Sequence, residues 1–431
     1  MSRPNELQPD LFLHLLAISG EYPKHNLSAI MPSESYSAKV IAKLTKEGMI
    51  RRIYQNKMRA YRLTQAGKQY LLGNNPIRYE GILTGRAETN HPPSDPLRRR
   101  RLWQISETLV LMYNAGIDVF QDIKPDVFGW NNEDVPHPLA DESGLSMQSG
   151  NLGDIPAASQ GHSNNPAGKQ SSLFISRPSF YTSREYKRGG GEMGVVVERI
   201  GTRDSKHLVR AMTEKPDVVR GSQGIGVLLT PTKVINVYNT SDALINWSPG
   251  VERKWQYEMQ NTICRRLLSD QYRKAETESL LIGHSMCVLG QYLSEMTNQG
   301  RMGKFLTATC DPLYYITNDI KGIAQLRLLC DDHHMERINR MLAKGLQPKT
   351  IHYPMAHDAL TDDRRPVIFL HLPNIPRLIR FKSGLEQYNK KGVVYGFDFH
   401  QEVLGGYLGE SVEYKGLKFD KVIDWLLGPQ G

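Results

Sequence analysis

The stretch 44–71, LTKEGMIRRIYQNKMRAYRLTQAGKQYL, decides how the N-terminal part of the chain is read. Gly48 stops a helix, and two strand patterns follow, Met49-Ile50-Arg51-Arg52-Ile53-Tyr54 and Arg59-Ala60-Tyr61-Arg62-Leu63, around the polar turn Gln55-Asn56-Lys57-Met58. Thr64 then opens another helix carrying Gly67, Tyr70, Leu71 and Leu72. Upstream, Asp10 caps an apolar helical stripe that Gly20 terminates, and a short helix after Asn26 uses Leu27, Ile30 and Met31. A third helix begins near Ser33 and buries Tyr36, Val40, Ile41 and Leu44. Its other face offers Ser35, Ser37, Lys39, Lys43 and Lys46.

The order helix–helix–helix–hairpin–helix, with LTKEGMIRR and YRLTQAGKQYL, resembles winged helix-turn-helix DNA-binding domains over about a sixth of the chain. The resemblance implies that the third helix enters the major groove, with the hairpin along the backbone or in the minor groove. Charge agrees with it: residues 1–72 hold eleven Lys/Arg against five Asp/Glu. Lys39, Lys43 and Lys46 recur at helical spacing and can face one strand of phosphates. Arg51, Arg52, Lys57 and Arg59 cluster on and near the hairpin, while Ser35, Tyr36 and Ser37 are the candidates for base edges. Such folds also serve as protein-interaction modules, and lysine-rich faces are often only solvated. Positive charge on both helix and hairpin favours double-stranded DNA.

The whole chain of 431 residues carries a formal net charge of +9. Its length allows two to four domains, with apolar material for more than one core. No run of about 18 apolar residues offers a membrane span. The opening residues lack the apolar stretch of a signal peptide, and Cys264, Cys287, Cys310 and Cys330 form no Cys-x-x-Cys pair. A cytoplasmic protein without disulfide scaffold or zinc finger is expected.

The expected fold class is α/β multidomain, divided into a winged-helix head at 1–75, a linker at 76–93, a mixed α/β domain at 94–270 and a C-terminal α/β domain at 271–431. The stretch 131–172, rich in Gly, Ser, Asn and Pro and with five acidic residues against Lys169, reads as a flexible insertion. Asp95 and Pro96 open a helix whose Arg98, Arg99, Arg100 and Arg101 span all sides of a turn and cannot all face a core. Cations at a helix N-terminus oppose its dipole, which favours a compensating partner. The clearest body hairpin runs from Ile225 through the turn 230–233 to Tyr238. Further on, 314–316, 323–329, 367–372 and 393–400 read as strands.

This succession, with FYTSREYK at 180–187 and INVYNTSDALINWS at 235–248, resembles replication-relaxation and mobilisation proteins of bacterial plasmids and integrative elements. That resemblance implies a body similar to restriction-endonuclease folds, in which an Asp and a Glu-x-Lys bind Mg²⁺ and position a water for phosphodiester attack. The hairpin 225–238 does not supply these groups, since Asn236 and Tyr238 stand where a carboxylate and a lysine would be needed. The alternative set is Asp126, Glu185 and Lys187, with Glu107 as a further ligand. Acid-x-Lys triplets occur at six places, so the triplet alone weighs little. Two other constellations have bland readings: Asp331-Asp332-His333-His334-Glu336 as helix caps, and Asp398, His400 and Glu402 as one face of a half-buried strand. No phosphate-loop motif indicates ATP. The expected function is sequence-recognising DNA binding by a mobile-element protein that controls transcription, replication or conjugative transfer. It needs no cofactor and no membrane, and symmetric dimers are common among such regulators. The alternative is a Mg²⁺-dependent nickase or relaxase.

Overall fold

The computed structural model describes residues 8–83, 95–127, 174–185, 221–245, 247–272, 275, 277–297, 310–349 and 355–422. The N-terminal region begins with α1 (Gln8–Ser19), ended by Gly20 at φ +80°, and β1 (Tyr22–Pro23). A 3-10 helix at Lys24–Ala29 replaces the expected second helix. In α2 (Glu34–Lys46) the Ser33 hydroxyl accepts from the Tyr36 N–H, and Ser37, Val40, Ile41 and Leu44 face inward. Strands β2 (Ile50–Gln55) and β3 (Met58–Leu63) pair antiparallel, and β1 adds to β3 as a third strand. Asn56 and Lys57 both have positive φ, which makes a two-residue turn whose twist suits the hairpin. Thr64 caps α3 (Gln65–Asn74) by accepting from the Gly67 N–H. Gly67 packs against the Met49 carbonyl, where a Cβ would lie 2.2 Å from the oxygen.

The expected linker is corrected in its first half. Residues Pro76–Leu83 form α4, which buries Tyr79, Ile82 and Leu83, while 84–94 lie outside the described residues. Arg78 of α4 bonds Asp122 of the body through Nε at 2.7 Å. The long α5 (Pro96–Asn114) is capped by Asp95 and buried continuously from Ile105 to Met112. A helix buried on every side belongs between layers, and the buried stretch of α5 includes the polar Ser106, Glu107 and Thr108. Here it packs on α1 and β1 and on β5 and β6 of the next sheet, so the N-terminal region shares one core with the body.

That sheet has the order β4 (Ser179–Thr182), β5 (Gly224–Leu229), β6 (Val234–Ser241), β7 (Thr277–Gly283), β8 (Leu313–Thr317). Its first three strands are antiparallel, and β6, β7 and β8 run parallel. Ile235 and Val237 face the α5 side, while Val234 and Tyr238 face α6 (Pro249–Met259) and α7 (Met286–Thr297), the period-two alternation of a strand buried on both sides. The boundary expected at 270/271 is therefore corrected: β7 and β8 complete the sheet that β4 begins.

After α8 (Ile320–Cys330) and α9 (Asp332–Ala343) comes a second five-stranded sheet. It contains β9 (Gln347–Pro348), β10 (Ala359–Leu360), β11 (Pro366–Phe369), β12 (Gly392–Phe397) and β13 (Val412–Leu417), with α10 (Ile375–Gln387) and α11 (Gln401–Leu408) between its later strands. Residues 323–329, expected as a strand, belong to α8, which Asp319 caps by accepting from the Lys321 and Gly322 N–H groups. The strand expected at 393–400 stops at Phe397, and Asp398–His400 turn into α11. Among the described residues no helix is long and apolar enough to cross a membrane. The architecture is mixed α/β with several sheets.

Candidate nucleic-acid interface

Amphipathic folding leaves one face of α2 to solvent. Ser35, Lys39, Lys43 and Lys46 are exposed there, and Lys43 has only a loose surface contact with Glu47, at 3.9 Å. Two residues expected at base edges sit elsewhere. Ser37 is buried and its hydroxyl donates to the Ser33 carbonyl at 2.9 Å, because position 37 falls on the inward stripe with Val40 and Ile41. Tyr36 is half-buried and packs against the core.

The hairpin has two unlike faces. Register pairs Arg52 with Tyr61 and Tyr54 with Arg59, so Arg52, Tyr54 and Arg59 share a face. Arg51, Arg52, Lys57 and Arg59 are all exposed. Tyr54 is 67% exposed, with the Arg59 guanidinium 5.2 Å from its ring centroid. Sequence reasoning passed over Tyr54, although an aromatic residue between arginines on a polar strand was the available signal.

The other face is held by buried charge. Glu21 lies just past α1 with no solvent exposure, and its carboxylate accepts from Arg62 Nε at 2.8 Å, Arg99 Nη2 at 2.8 Å and Trp103 Nε1 at 2.7 Å. Burial pulls the Arg62 guanidinium down, and its bond to Glu21 opposes that. A carboxylate between two guanidiniums, with its lone pairs taken, is a pairing that tolerates burial. Arg99 also donates to the Gln55 carbonyl at 2.7 Å and the Met58 carbonyl at 3.3 Å, the two residues that flank the hairpin turn. The four arginines of α5 thus divide. Arg99 holds the hairpin, Arg101 donates to the Ser222 and Gly224 carbonyls ahead of and within β5, and Arg98 and Arg100 are exposed.

A second polar cluster lies where β6 and β7 end. Glu107 of α5 is buried, with His25 Nε2 at 3.0 Å on one oxygen and His284 Nε2 at 3.2 Å on the other. Asp242 holds His284 Nδ1 at 2.8 Å, and the Ser241 hydroxyl donates to Glu107 at 3.2 Å. Burial pushes the Glu107 carboxyl up, but the two imidazoles outweigh it and bring it down to about 2. The hydrogen bond to Glu107 is the main cause that raises the His284 imidazole, against the opposing effect of its burial. Glu107, considered as a metal ligand from the sequence, is instead the bridge between His25 of the N-terminal region and His284 of the body.

Of the alternative catalytic set, Asp126 and Glu185 lie among the described residues. Glu185 is buried; Oε1 accepts from Lys124 Nζ at 2.5 Å and Oε2 from the Thr182 N–H at 2.6 Å. Lys124 also donates to the Phe180 carbonyl at 2.9 Å, and burial pulls its ammonium pKa down against the pull of Glu185. Asp126 is half-buried and accepts from Gln121 at 3.2 Å. Lys187 lies outside the described residues, as does the insertion 131–172. Among the described residues, no group of three or more His, Cys, Asp or Glu side chains is arranged to hold a metal ion. Asn236 is buried on β6, with neither side-chain polar atom hydrogen-bonded among the described residues. In the C-terminal part, Asp331 accepts from the His333 and His334 N–H groups as the cap of α9. His400 is fully buried, and burial carries its pKa down to about 3.

No protein-family model, no curated protein and no solved structure matches the chain.

Proposed function

We propose that this chain is a sequence-recognising double-stranded DNA-binding protein that acts through a winged-helix head. The observation carrying this reading is the division of the N-terminal region into an inward side, largely apolar and holding the paired Glu21 and Arg62, and a cationic outward side. Ser35, Lys39, Lys43 and Lys46 on α2, with Arg51, Arg52, Lys57 and Arg59 on the hairpin, are all exposed. In this reading α2 enters the major groove, its lysines and the hairpin arginines hold phosphates, and Tyr54 with Arg59 meets sugars and base edges beside them. Ser37 has no part in base contact, and Ser35 is the remaining small polar residue at the start of α2.

A role in control of transcription, replication or transfer of a bacterial mobile element rests on the sequence resemblance alone. The restriction-endonuclease-like character of the body has the same basis. The nickase reading is less supported, because Glu185 is neutralised by Lys124.

The test is a salt titration of binding to labelled duplexes by the full chain. Binding should weaken steeply as salt rises, and Lys39→Ala with Arg52→Ala should lower both affinity and slope, by roughly 0.9 in slope for each phosphate left without its cation. A variant indistinguishable from the parent would overturn the assignment of these residues.

A further inference from the structure

The first turn of α5 belongs to the body, yet Arg99 ties it to the hairpin tip. Its guanidinium, itself without solvent exposure, donates to the carbonyls of Gln55 and Met58 on either side of the turn Asn56-Lys57. Successive helical positions differ by about 100°, so Arg98 and Arg100 leave the helix about 200° apart and straddle that contact. The Arg98 side chain is 79% exposed and meets Asp95 only at 3.9 Å; Arg100 is exposed as well. The exposed charges at and beside the hairpin turn are Lys57 and Arg59, and Arg51 and Arg52 further back along β2 have the same sign. Cations in a first helical turn are disfavoured by the helix dipole, and here more cations stand nearby. Asp95 caps this turn and Glu21 pairs Arg99, which leaves the exposed Arg98 and Arg100 as the cations that an external polyanion would meet.

We infer that the first turn of α5 is part of the DNA-contact surface, with Arg98 and Arg100 taking phosphates of the duplex on which the hairpin sits. This rests on the DNA-binding reading of the head and extends it, because part of the contact then comes from outside the winged helix. Arg99 would make the arrangement rigid. It fixes the distance between the hairpin tip and the α5 arginines, so that the two contact the same duplex in a set spacing.

The experiment compares the full-length protein, Arg98→Ala/Arg100→Ala, Arg98→Lys/Arg100→Lys and Lys43→Ala/Arg52→Ala by salt titration on one duplex longer than the head can cover. The double alanine variant should lose about 1.8 from the magnitude of the log-affinity against log-salt slope, and the double lysine variant should keep it. The selected sequence should not change, since phosphate contacts carry no base information. An unchanged slope in the double alanine variant, beside a reduced one in Lys43→Ala/Arg52→Ala, overturns this inference and leaves the head reading standing. Equal loss in the alanine and lysine variants also overturns it, because charge is retained in the latter. A parent protein with no salt-dependent binding overturns both.

Discussion

Arg99 and Glu21 meet at 2.8 Å with neither side chain exposed to solvent. They come from the body's first helix and the segment after α1, and Arg62 of β3 completes the set. A buried ion pair is weak evidence for net stability, but breaking one member is costly because a charge is left without a partner. Glu21→Gln, which leaves Arg62 and Arg99 buried without their carboxylate, is therefore expected to destabilise the protein by about 3–5 kcal/mol, and Arg99→Met by less, because Arg62 still pairs Glu21. Denaturant unfolding measures it. A loss below about 1 kcal/mol would show the contact to be no more than a surface pair.

The Glu107 cluster gives stability a pH signature. The folded-state pKa of His284 is raised from 6.5, so its contribution is full below that value and is lost as pH rises through the raised folded value. The folded-state pKa of Glu107 is depressed from 4.5 to about 2, so its contribution is present above 4.5 and is lost as pH falls toward 2. Melting temperature should therefore be highest between these two ordinary values. His284→Gln should flatten the alkaline decline, which a pH series of melts on parent and variant would read. An identical alkaline decline in both would assign it to other groups.

Glu185 and Lys124 offer a test that separates a structural pair from a catalytic one. Glu185→Gln leaves the Lys124 ammonium buried without its carboxylate, at a cost of about 3–5 kcal/mol. The double apolar variant Glu185→Leu/Lys124→Met should recover most of that, since the desolvation of both charges disappears. Unfolding of the single and double variants measures the difference. A stable Glu185→Gln protein that has lost Mg²⁺-dependent nicking of supercoiled DNA would instead restore the nickase reading.

Much of the N-terminal region was legible because its signals are local. Ser33, Thr64 and Asp95 each cap a helix as their positions suggest, and Asn56-Lys57 makes the turn between the two strands. Glu21 could not be read this way. An acidic residue just past a helix-ending glycine looks solvated, and its burial depends on Arg62 and Arg99, 41 and 78 positions away. The same holds for Glu185, whose partner Lys124 precedes it by 61 residues and sits in a different acid-x-Lys triplet. The segment 323–329 misled because a helix buried on most sides has no polar stripe, so a short apolar run resembles a strand. Polarity alone points Ser37 outward, whereas its position in the helical period puts it inward.

DNA reading by α2 and the hairpin is tested by selection of duplexes from a random pool by the full-length protein and by a Lys39→Ala/Lys43→Ala/Arg52→Ala/Arg59→Ala variant. All four side chains are exposed, so the variant should fold as the parent does. The parent should enrich one shared sequence and the variant none. Enrichment of the same sequence by both proteins, or of no sequence by the parent, would contradict that reading.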